Sequence, residues 1–348
     1  MNTAYLDMIQ GNDPGVTPVW YMRQAGRSQA AYRKIKEKYT LFEITKQPEL
    51  CAQVTELPVK EYGVDAAILY NDIMSPMVAI GVNVDIKPGV GPVFDTPIRR
   101  IEDIERLHQF DPTKVDYIAK TIELLTEEIL DVPLIGFCGA PFTIASYLIE
   151  GGPTKSYNKT RGMLISEPDI WNGLMEKLAD MSIDYLSMQA NAGANALQIF
   201  DSWVGAVNSA EYEQAIFPHM KRIISTIKTR FPNLPLAMNG VGTDHLVPIW
   251  AELPLDIIAL DWRSSLGIAK DRGVTQTVQG NLDPAYLYAD TKTIAKAVDE
   301  ILLDGVRHGK HVFNLGHGVF PEADPAKLHW LTDYVHEKSR ELWARESR

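Results

Sequence analysis

The chain has 348 residues, 45% of them hydrophobic, and a formal net charge of −11. That is apolar material enough for one large α/β domain or two ordinary ones, and a pI near 5.3 argues against nucleic acid as the main partner, because phosphate binding calls for broad basic surface. Two cysteines, Cys51 and Cys138, cannot frame a disulfide scaffold and no secretory signal opens the sequence, so a cytoplasmic location is expected.

The first apolar run, Pro18–Met22, stops at Arg23, and Gly26 and Arg27 follow. One helical turn there predicts Arg23 and Arg27 on the same side, where two guanidinium forks make a clamp for carboxylate or phosphate. A surface loop with two solvated arginines is the plainer alternative. Between Trp20 and Thr40, Arg23, Arg27, Arg33, Lys34, Lys36 and Lys38 stand against Glu37 alone, a local field of opposite sign to the whole chain. Lys34 and Lys38 read as the wet face of a helix.

An amphipathic stretch, Pro48–Tyr62, leads to the second run, Asp65–Asp72. A carboxylate ending so apolar a run is costly to bury without donors. Asp72 is either a functional carboxylate with a cationic or N–H partner or a cap on the helix that follows. Gly81–Thr96, rich in Gly, Pro and Val, reads as an inserted hairpin or loop, and Ile101–Leu130 as amphipathic helix.

The third run, Val132–Gly139, continues uncharged to Ile149 and imitates a membrane span. Pro133, Gly136, Gly139 and Pro141 cut it, so a strand, a loop and a buried helix start fit better, with no membrane expected. Tyr147 lies in that helix start; its hydroxyl either reaches a polar site group or is satisfied by backbone. After the helical stretch Glu167–Ala190, the run Ala194–Ser202 ends in Asp201 and Ser202. No Gly-x-Ser-x-Gly surrounds Ser202, so it suits a hydrogen bond to a ligand better than a hydrolase nucleophile.

The rest alternates in the same way: Ser209–Arg230, Pro235–Val241, Asp244–Ala251, Ile257–Ser264, Thr277–Pro284, Thr291–Arg307, Val312–Val319 and Pro325–Trp343. The later runs end in Asn239, in Asp261 with Arg263, in Asn281 with Asp283, and in Asn314 with His317. Gly316 and Gly318 flank His317 and would let the backbone turn tightly to present the imidazole; a satisfied structural histidine is the alternative. His308 and His311 lack companion acids at metal-binding spacing and are expected on the surface beside the last strand.

Strand and helix alternating eight times predict an α/β fold, a single (β/α)8 TIM barrel spanning residues 1–348, with the cleft at the C-terminal ends of the strands. A doubly wound sheet fits less well, because no Gly-x-Gly-x-x-Gly follows the first run. The chain also has no P-loop, His-Glu-x-x-His, Cys-x-x-Cys or EF-hand pattern, so chemistry with neither bound nucleotide nor metal is expected.

Six segments in order, Met22–Arg27, Ala66–Asp72, Pro133–Gly152, Gln198–Gly205, Val278–Pro284 and Phe313–His317, together resemble the uroporphyrinogen decarboxylase family. The resemblance implies one (β/α)8 domain, a homodimer, no cofactor and no metal. It implies conversion of uroporphyrinogen III to coproporphyrinogen III in haem biosynthesis, four acetate side chains becoming methyls with loss of four CO2. Carried over by position, Arg23, Gln24, Ala25, Gly26 and Arg27 resemble the family's substrate-binding segment. Asp72 resembles the carboxylate that faces the pyrrole N–H groups and stabilises the protonated pyrrole, with Arg23 beside it in catalysis. Tyr147, Ser202 and His317 resemble its remaining substrate contacts. The proton donor stays open: a guanidinium is a poor acid, and a substrate carboxylic acid or a water held by Arg23 competes. Ser28-Gln29-Ala30-Ala31 departs from the family's usual aromatic, Leu, Pro and acid, which puts the loop over the cleft in question. Two rivals are a zinc-dependent corrinoid methyltransferase of related fold, for which Cys51 and Cys138 lack a His-x-Cys pair, and a non-catalytic tetrapyrrole binder.

Overall fold

The computed structural model describes residues 1–87 and 90–346. Its first regular strand is β1 (Ala67–Ile68); β2 (Asp85–Lys87) and β3 (Gly91–Val93) then form an antiparallel hairpin with Asp85 opposite Val93. The hairpin falls inside the expected insertion Gly81–Thr96, of which Pro88 and Gly89 lie outside the described residues. Six further strands follow: β4 (Leu134–Gly139), β5 (Ala196–Asp201), β6 (Leu236–Gly240), β7 (Ile257–Ala259), β8 (Thr277–Gln279) and β9 (His311–Val312).

Among the described residues, β1 and β4 to β9 make a seven-stranded parallel sheet in sequence order. Leu134 pairs with Ala67, Ile135 with Ala196, Leu197 with Leu236, and Val278 with His311. Every residue of β4 to β8 is buried, as expected of parallel strands covered on both faces and written as unbroken apolar runs. The first apolar run behaves differently. It contributes one parallel bridge, Val19 to Phe313, rather than a strand. The Phe313 N–H donates to Pro18 O (2.8 Å) and the Asp65 N–H to Val19 O (2.7 Å), so backbone bonds reach this segment from both ends of the strand order.

The concave face is filled by side chains. Buried Trp20 donates its indole N–H to Gln279 Oε1 (3.0 Å), and Gln279 donates to Gln198 Oε1 (3.4 Å), giving buried amides the partners they need and tying the first segment to β8 and β5. A void of about 10 Å³ remains beside Trp20, Phe200, Asn239 and Asn314.

Several expected helices are broken, and one piece of each carries a proline in its first turn. Ile101–Leu130 divides into Ile101–Glu105, a 3₁₀ turn Pro112–Val115 capped by Asp111, Asp116–Leu124 and a π segment Leu125–Ile129. Ser209–Arg230 becomes Ser209–Ala215 and Phe217–Arg230, where Pro218 takes a first-turn position that needs no N–H donor. Asp244–Ala251 is a 3₁₀ turn followed by Val247–Trp250. His311 is not on the surface, as expected, but fully buried in β9. Its Nε2 lies 2.7 Å from Gly280 O, and burial pushes its pKa down to about 4. The last helix, Pro325–Glu346, packs against the first segment: Tyr21 and Thr332 hydroxyls lie 3.0 Å apart, and His336 Nε2 lies 2.7 Å from Asp65 Oδ2. No helix among the described residues is long and apolar enough to cross a membrane.

Candidate functional site

Arg23 follows Met22 in a left-handed conformation, φ 59°, so the chain turns sharply instead of starting the expected helical turn. A non-glycine residue held there costs of order 1–3 kcal/mol and persists only when its surroundings impose it. They do here: Met22 N–H donates to Asn314 Oδ1 (2.9 Å), and Val319 N–H donates to Met22 O (2.8 Å). The loop beyond is pinned as well. Gln24 is buried, its Oε1 accepting from Tyr21 N–H (3.0 Å) and its Nε2 donating to Ala66 O (3.1 Å), so its amide serves the backbone. Gly26 N–H donates to Gln29 Oε1 (3.3 Å), Gln29 Nε2 to Glu61 (2.7 Å), and the Ser28 hydroxyl lies 3.1 Å from that of Tyr62. The divergent Ser28–Ala31 segment is thereby anchored to the helix Pro48–Tyr62. Arg33, itself exposed, donates Nη1 to the carbonyls of Arg27 and Ser28 (2.8 Å each).

Asp72 lies just past β1, partly buried, with Oδ1 accepting the Met74 N–H (2.8 Å). It therefore caps the turn after it, one of its two sequence readings. Burial raises its pKa, opposed by that N–H and by the Arg23 charge. Asn71 fixes the approach: its Oδ1 accepts from Asp72 N–H (2.9 Å) and the Ser75 hydroxyl, and its Nδ2 donates to buried Tyr185 (2.8 Å).

Tyr147 stands on the helix Pro141–Glu150, its ring edge-on to Trp203 at 6.2 Å. Burial raises its hydroxyl pKa; a hydrogen bond to the Trp203 side chain and the Arg23 charge lower it, and the Asp72 charge raises it. Ser202, half-buried in the turn after β5, directly precedes Trp203. Asp201 secures that turn. It accepts from the Thr143 hydroxyl (2.7 Å), and the same Thr143 oxygen accepts from Trp203 N–H (3.2 Å). Its Oδ2 is buried with no hydrogen-bond partner among the described residues, and burial raises its pKa to about 7.

His317 closes the group. Its flanking glycines do not adopt positive φ; they permit close approach. A Cβ on Gly318 would come 2.5 Å from Arg23 Cδ, and one on Gly316 would meet the Trp262 backbone nitrogen. Burial, Arg23 and Arg263 lower the His317 pKa and the Asp261 charge raises it, and the net downward shift favours the neutral imidazole.

Arg23, Asp72, Tyr147 and His317 thus share one electrostatic neighbourhood. Arg27 is exposed and acts instead on Tyr32 and Lys36. Asn71 and Trp203 were not singled out from the sequence. Of these only Asn71, beside Asp72, stood where a signal could be read.

The fold and this neighbourhood define an α/β protein that gathers its polar chemistry at the C-terminal ends of parallel strands. A family model described as uroporphyrinogen decarboxylase matches residues 1–338. The chain is 57% identical over 340 residues to the uroporphyrinogen decarboxylase of Bacillus subtilis, covering 97% of this chain and 96% of that protein. It is 56% identical over 337 residues to that of a Geobacillus strain, covering 97% of each. Among solved structures, a methyltransferase from Methanosarcina mazei superposes with TM-score 0.78 at 17% identity, over 97% of this chain and 98% of that one, a likeness of fold alone. The chain belongs to the uroporphyrinogen decarboxylase family.

Proposed function

We propose that this protein removes the four acetate carboxyls of uroporphyrinogen III as CO2, giving coproporphyrinogen III, with neither cofactor nor metal. In this reading residues 1–348 form one (β/α)8 barrel domain, the Pro18–Met22 segment being its first strand, and the protein is a cytoplasmic homodimer. The observation that carries the proposal is Asp72: a partly buried carboxylate within the field of Arg23, its charge felt by Tyr147, in a chain 57% identical over 340 residues to the uroporphyrinogen decarboxylase of Bacillus subtilis.

Each decarboxylation needs an electron sink. Protonating a pyrrole α-carbon supplies one; the electrons of the C–CO2 bond then flow into the ring as CO2 leaves, a proton adds to the exocyclic carbon to make the methyl, and the α-proton departs. Asp72 accepts hydrogen bonds from the pyrrole N–H groups and stabilises the cation, which exists in the intermediate and not in the substrate. Arg23 and Arg27 bind acetate and propionate carboxylates. Arg23 sits closer to the chemistry, and the exposed Arg27 takes a peripheral group. Gln24, Ala25 and Gly26 hold the loop that carries both. Tyr147, Ser202 and neutral His317 complete the substrate contacts.

Anaerobic incubation with uroporphyrinogen III, then oxidation and chromatography, tests the proposal. Porphyrins with fewer carboxyls, ending at four, are expected; unchanged octacarboxylate would overturn it. The zinc methyltransferase alternative is disfavoured by its donor set. Both thiols are buried, with pKa raised to about 12, and no three His, Cys, Asp or Glu side chains among the described residues come together as metal ligands.

A further inference from the structure

Arg263 follows β7 and is restrained on two sides although half of its side chain is exposed. Its guanidinium carbon lies 3.8 Å from the centre of the Trp262 ring, and Nη1 donates to Asp261 Oδ2 at 2.8 Å. A half-exposed arginine ordinarily gains little from an ion pair and keeps many rotamers; stacking together with a buried carboxylate fixes this one's plane. Asp261 does not depend on it, since Arg263 N–H (2.9 Å) and Gly242 N–H already serve its two oxygens.

The fixed guanidinium faces the group already described. Trp262 stands edge-on to His317, ring centres 6.2 Å apart, Gly316 lets the two segments touch, and the charges of Arg263 and Arg23 both act on the same imidazole. Asp261 takes one guanidinium donor and its charge offsets part of the arginines' effect on the imidazole, while the half-exposed fork has further donors for a second anion.

We propose that Arg263 is a third arginine of the cleft, binding a peripheral carboxylate of the tetrapyrrole through the planar fork that Trp262 and Asp261 hold in place. The proposal rests on the tetrapyrrole reading above, and it makes Arg263 a determinant of carboxylate number at the β7 rim. Arg263→Gln keeps volume and removes the charge; Arg263→Lys keeps the charge and removes the fork.

Two measurements separate the outcomes: steady-state kinetics with uroporphyrinogen III, and equilibrium binding of the octacarboxylate uroporphyrin, which is not turned over, by fluorescence quenching. In Arg263→Gln a roughly tenfold rise in KM and in the uroporphyrin dissociation constant is expected, with kcat within about twofold of the parent and a weaker dependence of KM on salt. Arg263→Lys is expected to fall between. A folded Arg263→Gln, or Arg263→Lys should the first not fold, with parental KM and uroporphyrin affinity would overturn the proposal and leave Arg263 as a neutraliser of Asp261. A parent that binds uroporphyrin and weakens on substitution, yet decarboxylates nothing, would contradict the proposed function while sparing Arg263. A parent that does neither would overturn both.

Discussion

At the scale of single residues, Arg23 is held harder than an exposed arginine needs to be. Its backbone occupies a left-handed conformation, hydrogen bonds on either side of Met22 keep it there, and its aliphatic stem lies against Gly318 where no side chain fits. Such preorganisation suits a group that must meet a carboxylate in one geometry. Arg33, by contrast, holds two loop carbonyls that a lysine ammonium could also reach. Arg23→Lys is therefore expected to lower kcat/KM by tenfold or more, and Arg33→Lys by a few-fold, in a side-by-side uroporphyrinogen assay; equal, small losses would count against the clamp. The sequence marked Arg23 through an apolar run ending in a cation. It could not mark the left-handed turn, which is imposed by Asn314 and Val319 from nearly three hundred residues away.

At the scale of elements, the turn after β1 and the turn after β5 are each locked by a polar side chain one residue before a candidate site residue. Asn71 does so for Asp72, bridging Ser75 and Tyr185 of the helix Pro168–Asn191. Asn71→Ala removes three partners at once. A roughly tenfold fall in kcat is expected with KM changed less than twofold, and the same loss appearing entirely in KM would show that Asn71 does not position Asp72. Asp201 plays the corresponding part for Ser202 and Trp203 through Thr143. The elements themselves were largely legible: all eight expected runs map onto strands or onto the Val19 bridge, because β-rich apolar runs buried on both faces leave little else to form. Helix breaks at Pro112 and Pro218 were written in the sequence but hidden under a continuous amphipathic pattern. The side-chain locks were not legible, since each joins segments distant in sequence.

At the scale of the molecule, the buried polar groups set how stability responds to pH. Asp201 titrates near 7 in the folded protein, against an ordinary value of 3.8. The folded state therefore keeps a proton that the unfolded chain releases, and its contribution, full below the unfolded value, is lost as pH rises through about 7. His311, lowered to about 4, works in the opposite sense, favouring the fold as pH rises toward the ordinary histidine value of 6.5. Asp201→Asn isolates the first effect: relative to the variant, the parent is expected to lose a few kcal/mol of stability between pH 4 and pH 8 in parallel denaturation series. A pH-independent difference would show that Asp201 is ionised throughout.

The proposed chemistry as a whole converges on Asp72, and its removal is the most direct test. Asp72→Ala, compared with the parent for thermal unfolding and for anaerobic turnover of uroporphyrinogen III followed by chromatography of the oxidised porphyrins, is expected to unfold within a few degrees of the parent and to leave the octacarboxylate almost untouched, a loss of at least a hundredfold in rate. A folded Asp72→Ala protein that still delivers the tetracarboxylate at near-parental rate would contradict a catalytic carboxylate at this position.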